Sequence, residues 1–206
     1  DIQVASNLDL LGYTAAAGAR YRRSFQLYPD NVFSNLAWPT FLMRHGRDAE
    51  ARAVLDEAMA RGTEHAGLHM LAAELALRSG DRTAARASVE RAQALRPQAS
   101  LPRTVAWTLQ DVAPPTATLR TQAQALREGL HMGSEPVDAL DAALLLDATG
   151  DRDAAFTALR EAVDAGYRDA PYLRASPLFA GLRSDARFAR VLAGIERAIA
   201  SERDVV

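Results

Sequence analysis

Small and large apolar residues recur along this chain in a fixed order behind evenly spaced glycines. Gly12, Gly46 and Gly80 lie 34 residues apart. Five residues beyond each stands Ala17, Ala51 or Ala85, and nine beyond stands Tyr21, Leu55 or Val89. Twelve beyond come Ser24, Ala58 and Ala92, and seventeen beyond come Pro29, Thr63 and Pro97. The phrase Gly-Asp-Arg returns at Gly150-Asp151-Arg152, followed by Ala154 and Ala155. A repeat of this length is the mark of stacked helix-turn-helix units. Five helix pairs are expected. Their first helices lie near 1–11, 33–45, 66–79, 101–112 and 136–149. Their second helices lie near 14–28, 48–61, 82–95, 116–131 and 152–165.

Each spacing has a physical reason. Glycine ends a helix because the left-handed conformation costs it little. Alanine five residues later lets the second helix lie close to the first, and the large residue at the ninth place fills the space between them. Proline stops the second helix. Asp48, Asp81 and Asp151 follow the glycines and are expected to cap helix N-termini. Pro39 falls inside a predicted helix, where a lost hydrogen bond should kink or shorten it. In the fourth copy Pro114 holds the glycine slot, and Leu119, Ala123, Leu126 and Leu130 share one face of the following helix. The fifth copy arrives two residues late, a slip assigned to the loop at Gly133-Ser134-Glu135-Pro136.

This pattern resembles the tetratricopeptide repeat (TPR) family over roughly residues 1–167. The resemblance implies an all-α protein, an α-solenoid of about five TPR-like repeats, near 1–31, 32–65, 66–99, 100–133 and 134–167. Residues 168–206 are expected to form capping helices. Their run through Tyr172, Leu173, Pro177, Leu178, Phe179, Leu182, Phe188 and Leu192 is similar to the closing segment of many bacterial TPR proteins, with Ala186 where proline is usual. There Leu178, Phe179, Leu182, Phe188 and Leu192 should cover the apolar side of the fifth repeat. The last helix, near 185–201, should turn Glu196, Arg197, Glu202 and Arg203 to water.

Composition narrows the picture. The formal net charge is −2 and the cations are all arginine, so nothing pulls the chain as a whole toward nucleic acid or anionic lipid. Cysteine is absent, which removes disulfides and thiolate metal sites and leaves bacterial cytoplasm and periplasm equally open. No run approaches the roughly 18 apolar residues of a membrane span, the longest being near Ala142–Leu146. The chain starts at Asp1 inside its first predicted helix, so it is expected to be a fragment, with a signal, a membrane anchor or an effector domain as the candidates for what precedes it.

No catalytic motif is present, and neither a catalytic residue nor a cofactor is expected. His65 and His69 have a helical metal spacing, with Glu64 beside them, but a helix end explains them as well. His45 and His131 fall at helix C-termini, where an imidazolium is favoured. Asp138, Asp141, Asp147, Asp151 and Asp153 read as a solvated acidic face with an N-cap, or as an acidic lip on a groove. Arginines 20, 22, 23, 44, 47 and 52 gather nearer the start of the chain.

The resemblance further implies a concave groove lined by the first helix of each repeat. By register this gives Phe33, Leu36, Thr40 and Met43, then Met70, Glu74 and Leu77, then Thr104, Thr108 and Asp111, and last Leu140, Leu144 and Asp147. The TPR clamp for chaperone carboxylates uses lysine and asparagine, which these positions lack, so acidic chaperone tails are not expected as ligands of this groove. The expected function is a non-enzymatic scaffold that holds a peptide or partner helix of unknown identity and no nucleic acid. Two alternatives stand beside it. One is the C-terminal sensory region of a larger signalling protein built on a winged-helix, cyclase or kinase domain. The other is a self-assembling repeat module that forms homo-oligomers.

Overall fold

The computed structural model describes residues 2–112 and 114–203, with side chains through residue 201. Asp1, where the first helix was expected to begin, lies outside the described residues. So do the Glu202 and Arg203 side chains and residues 204–206. The described residues are all-α, with 13 α-helices and one 3-10 turn. They divide into two compact units, 1–96 and 97–206.

The first unit holds α1 (Ile2–Leu10), α2 (Thr14–Leu27), α3 (Val32–Arg44), α4 (Asp48–Ala60), α5 (Ala66–Arg78) and α6 (Arg82–Leu95). They pack as consecutive pairs α1/α2, α3/α4 and α5/α6. A glycine closes each pair. At Gly46, with φ of +71°, its own N–H bonds Met43 O at 3.1 Å and the next N–H bonds Leu42 O at 2.9 Å. That double closure satisfies carbonyls a helix end would leave orphaned, and it turns the chain back at once. The same bonds close at Gly12 and Gly80 here and at Gly150 in the second unit.

Tight turns allow the close packing that the spacing predicts. Ala17, Ala51, Ala85 and Ala155 are fully buried, and Tyr21, Leu55, Val89 and Leu159 fill the gaps beside them. Asp81 and Asp151 cap their helices by accepting from Ala84 N and Ala154 N at 2.9 and 3.1 Å. Asp48 does not. Arg47 occupies the N-cap, which leaves Asp48 one residue inside α4, and its carboxylate pairs with Arg78 of α5 at 2.5 Å. Pro39 neither shortens nor interrupts α3, which runs from Val32 to Arg44 with the proline ring buried. Its ring therefore serves the core, at the loss of one backbone donor.

The second unit holds α7 (Ser100–Leu109), α8 (Thr116–His131), α9 (Val137–Ala148) and α10 (Arg152–Asp164), then α11 (Ala170–Ala175). A 3-10 turn (Pro177–Phe179), α12 (Ala180–Arg183) and α13 (Ala186–Arg203) complete it. The fourth pair departs from the others. α8 packs chiefly on α9, and α7 also rests on α9. With Pro114-Pro115 in place of a glycine, no reversal folds α8 onto α7, because proline lacks the N–H that the double closure needs. Leu119 and Ala123 are buried in the same core as α9, with Leu126 and Leu130 packed against it. Phe179, Leu182 and Phe188 are buried there too, and Leu178 and Leu192 lie against them. The closing helices thus cover the apolar side of α9 and α10, as a repeat array's end requires. No helix among the described residues is long and apolar enough to cross a membrane.

Candidate partner-binding surfaces

In the first unit, α1 and α3 enclose a hollow of about 280 Å³. Ile2, Phe33, Leu36 and Ala37 supply its apolar wall, and Ser6, Asp9, Thr40 and Arg44 its polar one. The repeat register puts these residues on successive turns of first helices, so Leu36 and Thr40 sit one above the other. The Thr40 hydroxyl donates to Leu36 O at 2.8 Å, which satisfies its polar atom within the helix. Phe33 stands at the mouth with 69% of its surface exposed, more than any other aromatic residue described. Asp9 is held by His45, whose Nε2 lies 3.0 Å from Oδ1. The His45 ring in turn lies 4.4 Å from that of Phe41.

Of the groove positions implied by register, Phe33, Leu36 and Thr40 come together in this hollow. Met43 points into the first unit's core instead, 1% exposed among Phe41, Leu42 and Leu75. Met70 and Glu74 are buried, while Leu77 is half-buried. In the second unit Thr104 is buried and Thr108 and Asp111 are exposed. Leu140 and Leu144 belong to that unit's core at 4% and 6% exposure. Asp147 is half-buried, and burial raises its carboxyl above the usual range despite Arg152 at 3.7 Å. A Cβ on Gly181 would lie 3.0 Å from its Oδ2, so the closing segment already occupies the space beside it.

The acidic stretch of α9 and α10 does not form one solvated face. Asp141 is 3% exposed and takes a short hydrogen bond from the Ser100 hydroxyl of α7. Asp138 lies 3.3 Å from the same hydroxyl. Burial pushes the Asp141 carboxyl up to about 7, and the charge of Asp138 adds to this while Ser100 and Arg103 oppose it. Asp151 caps α10, and Asp153 pairs with Arg187 at 2.5 Å. His65 also has a structural task, since its Nδ1 accepts the Gly67 N–H at 3.1 Å and caps α5. His69 Nε2 lies 3.8 Å from Glu64 Oε2, and burial lowers its basicity.

A second hollow in the first unit, of about 750 Å³, was missed by sequence reasoning. α2 and α4 flank it, and Trp38 and Phe41 of α3 form the floor. A faint signal exists in Gly18, the one glycine inside α2, where a Cβ would meet the Phe41 ring at 3.0 Å. Both floor rings are nearly buried, and the rim is neutralised by a bidentate Arg47–Glu50 pair at 2.8 and 2.6 Å.

These features define the class: an all-α protein of TPR-like helical hairpins with a helical closing segment. No protein-family model matches the chain, and no curated protein matches it. Among solved structures it is similar to the MamA protein, at 16% identity and a TM-score of 0.46, covering 83% of this chain and 92% of that one. It is also similar to YrrB, described as a TPR protein with an unusual peptide-binding site, at 16% identity and a TM-score of 0.45. That likeness covers 84% of this chain and 89% of the other. A further MamA structure gives 15% identity and a TM-score of 0.41 over 98% and 95% of the two chains. The assignment of fold rests on the helices and turns themselves.

Proposed function

We propose that this chain is a non-enzymatic interaction scaffold that binds a peptide or partner helix on the α1/α3 face. The observation that carries the reading is Phe33, 69% exposed at the rim of an open, partly apolar hollow. An exposed phenylalanine beside an unfilled hollow gains by burial against a partner, on the order of 1.5–3 kcal/mol. Leu36 and Thr40 line the hollow beside it, and Asp9 and Arg44 offer charges of both signs for orientation. Leu77, also of the first unit, keeps some surface and is a secondary contact residue in this reading. In this reading residues 168–206 close the repeat array. Among the described residues no group of three His, Cys, Asp or Glu side chains is placed to hold a metal ion.

The test is selection of displayed peptides on the full chain, followed by fluorescence anisotropy with the enriched sequences. Phe33→Asp should weaken binding at least about tenfold, which corresponds to about 1.4 kcal/mol. Equal affinity for wild type and Phe33→Asp would remove the α1/α3 face as the binding surface.

A further inference from the structure

The closing helix α13 lies against α10 and leaves a groove of about 310 Å³ along their seam. Val163 of α10 and Val191 and Gly194 of α13 form its apolar base. Arg160, Arg190 and Arg197 stand along it, all exposed, against a single exposed acid, Asp164. This imbalance is local, because the whole chain carries a net charge of −2.

Arginines elsewhere are mostly occupied. Arg127 is bidentate to Glu161, Arg174 pairs with Glu196, and Arg187 holds Asp185 and Asp153. Arg187 also lies 4.4 Å over the Phe156 ring and so closes one end of the groove. Arg190 and Arg197, by contrast, meet no carboxylate among the described residues, and Arg160 donates only to the Thr157 hydroxyl at 3.1 Å. Long cationic side chains with no carboxylate partner among the described residues, set around an apolar base, complement an anionic ligand that also has an apolar part.

Gly194 points to a surface kept open. A Cβ there would meet only Val163 Cγ1, at 3.9 Å, which is ordinary contact. The packing of α13 on α10 therefore does not require glycine at this position. Glycine inside a helix is disfavoured by about 1 kcal/mol relative to alanine. Its presence leaves the base of the groove bare.

We propose that the α10/α13 groove binds an acidic peptide segment whose apolar side chain enters at Gly194 while carboxylates on either side engage Arg190 and Arg197. Those arginines are seven residues apart on one helix, or roughly 10 Å at 1.5 Å per residue. In an extended peptide, residues i, i+2 and i+4 share one face, so an apolar side chain with a carboxylate two places to either side spans roughly 13 Å at about 3.3 Å per residue, which two long arginine side chains can bracket. Nucleic acid is the poorer fit. The nearest aromatic ring, Phe156, is 2% exposed beneath Arg187, so no base could stack on it.

The probe is a fluorescein-labelled extended peptide with two glutamates four residues apart and a leucine midway between them. Its control carries glutamines, and a single-stranded RNA oligonucleotide of the same label runs beside both. Anisotropy titrations use the full chain. The glutamate peptide should bind at least tenfold more tightly than the glutamine control and should weaken with added salt. Arg190→Glu with Arg197→Glu should lower its affinity at least tenfold. Gly194→Leu should abolish binding while leaving the thermal midpoint equal or higher, which separates blocking from unfolding. Phe33→Asp should leave this binding unchanged, so the two surfaces fail independently. The proposal is overturned by equal binding of the two peptides, by no peptide binding, by variants without effect, or by RNA bound in preference.

Discussion

Arg61, at the end of α4, donates to Asn35 Oδ1 in α3 at 3.0 Å. The same guanidinium donates to Phe25 O at 3.0 Å and lies 3.9 Å over the Phe25 ring of α2. Asn35 is fully buried, and its amide donates to Pro29 O and Thr63 Oγ1, both at 2.7 Å. One side chain thus ties the ends of two second helices to the first helix between them. Pro29 and Thr63 hold the same slot in successive repeats, so this slot supplies acceptors as well as ending helices. Asn35→Leu would take one acceptor from Arg61, which keeps its ion pair with Glu57 at 2.6 Å, and would strand the Pro29 and Thr63 acceptors. It should destabilise the first unit by about 2–4 kcal/mol, read as a lowered urea midpoint.

Gly46→Ala isolates the cost of backbone conformation. Nothing lies within 4 Å of a Cβ at this site, yet φ is +71°. The substitution should cost roughly 1–2 kcal/mol in chemical denaturation, the penalty of a left-handed residue bearing a Cβ. A loss near zero would show that the turn rearranges.

Two positions implied for the groove should separate cleanly. Phe33→Asp, on an exposed residue, should change stability by no more than about 0.5 kcal/mol. Leu144→Asp places a carboxylate at a site 6% exposed in the second unit's core. It should lower stability by several kcal/mol and the circular dichroism signal with it. A folded Leu144→Asp variant would contradict the packing of α9.

Asp141 makes the second unit's stability depend on pH. Its carboxyl is raised from 3.8 to about 7 in the folded chain. Between those values the folded state binds the proton and the unfolded state does not. This contribution is therefore fully present below about pH 4 and is lost as pH rises through about 7. Asp141→Asn should flatten the pH profile of the urea midpoint over that window and raise stability at pH 8, by on the order of a few kcal/mol. An unchanged profile would mean that the Ser100 and Arg103 contacts keep Asp141 ionised.

Ala51→Leu probes the close approach of paired helices. Ala51 is fully buried beside Leu55 in the first unit's core. A larger side chain should cost about 1–3 kcal/mol through forced rotamers and backbone shifts, measured as a lower thermal midpoint.

Helices, turns and small-residue contacts were legible in the sequence because each depends on residues a few places apart. Glycine at a helix end, alanine five residues on and a large residue nine on act through local geometry, and a repeated local rule leaves a repeated trace. Asp81 and Asp151 as N-caps were legible for the same reason. Residues without a local rule were not. Pro114 shows an absent glycine, but that α8 would rest on α9 depends on what else offers an apolar face. Register put Phe33 and Leu144 on equal footing as groove residues. The fold buries one and exposes the other, since exposure depends on which helices lie above a residue and not on its place in a repeat. The buried carboxyl of Asp141, the hub at Asn35 and the cationic seam of Arg160 with Arg190 and Arg197 likewise arise from side chains brought together across tens of residues. A short-range pattern carries no record of such meetings, and only the packed helices decide them.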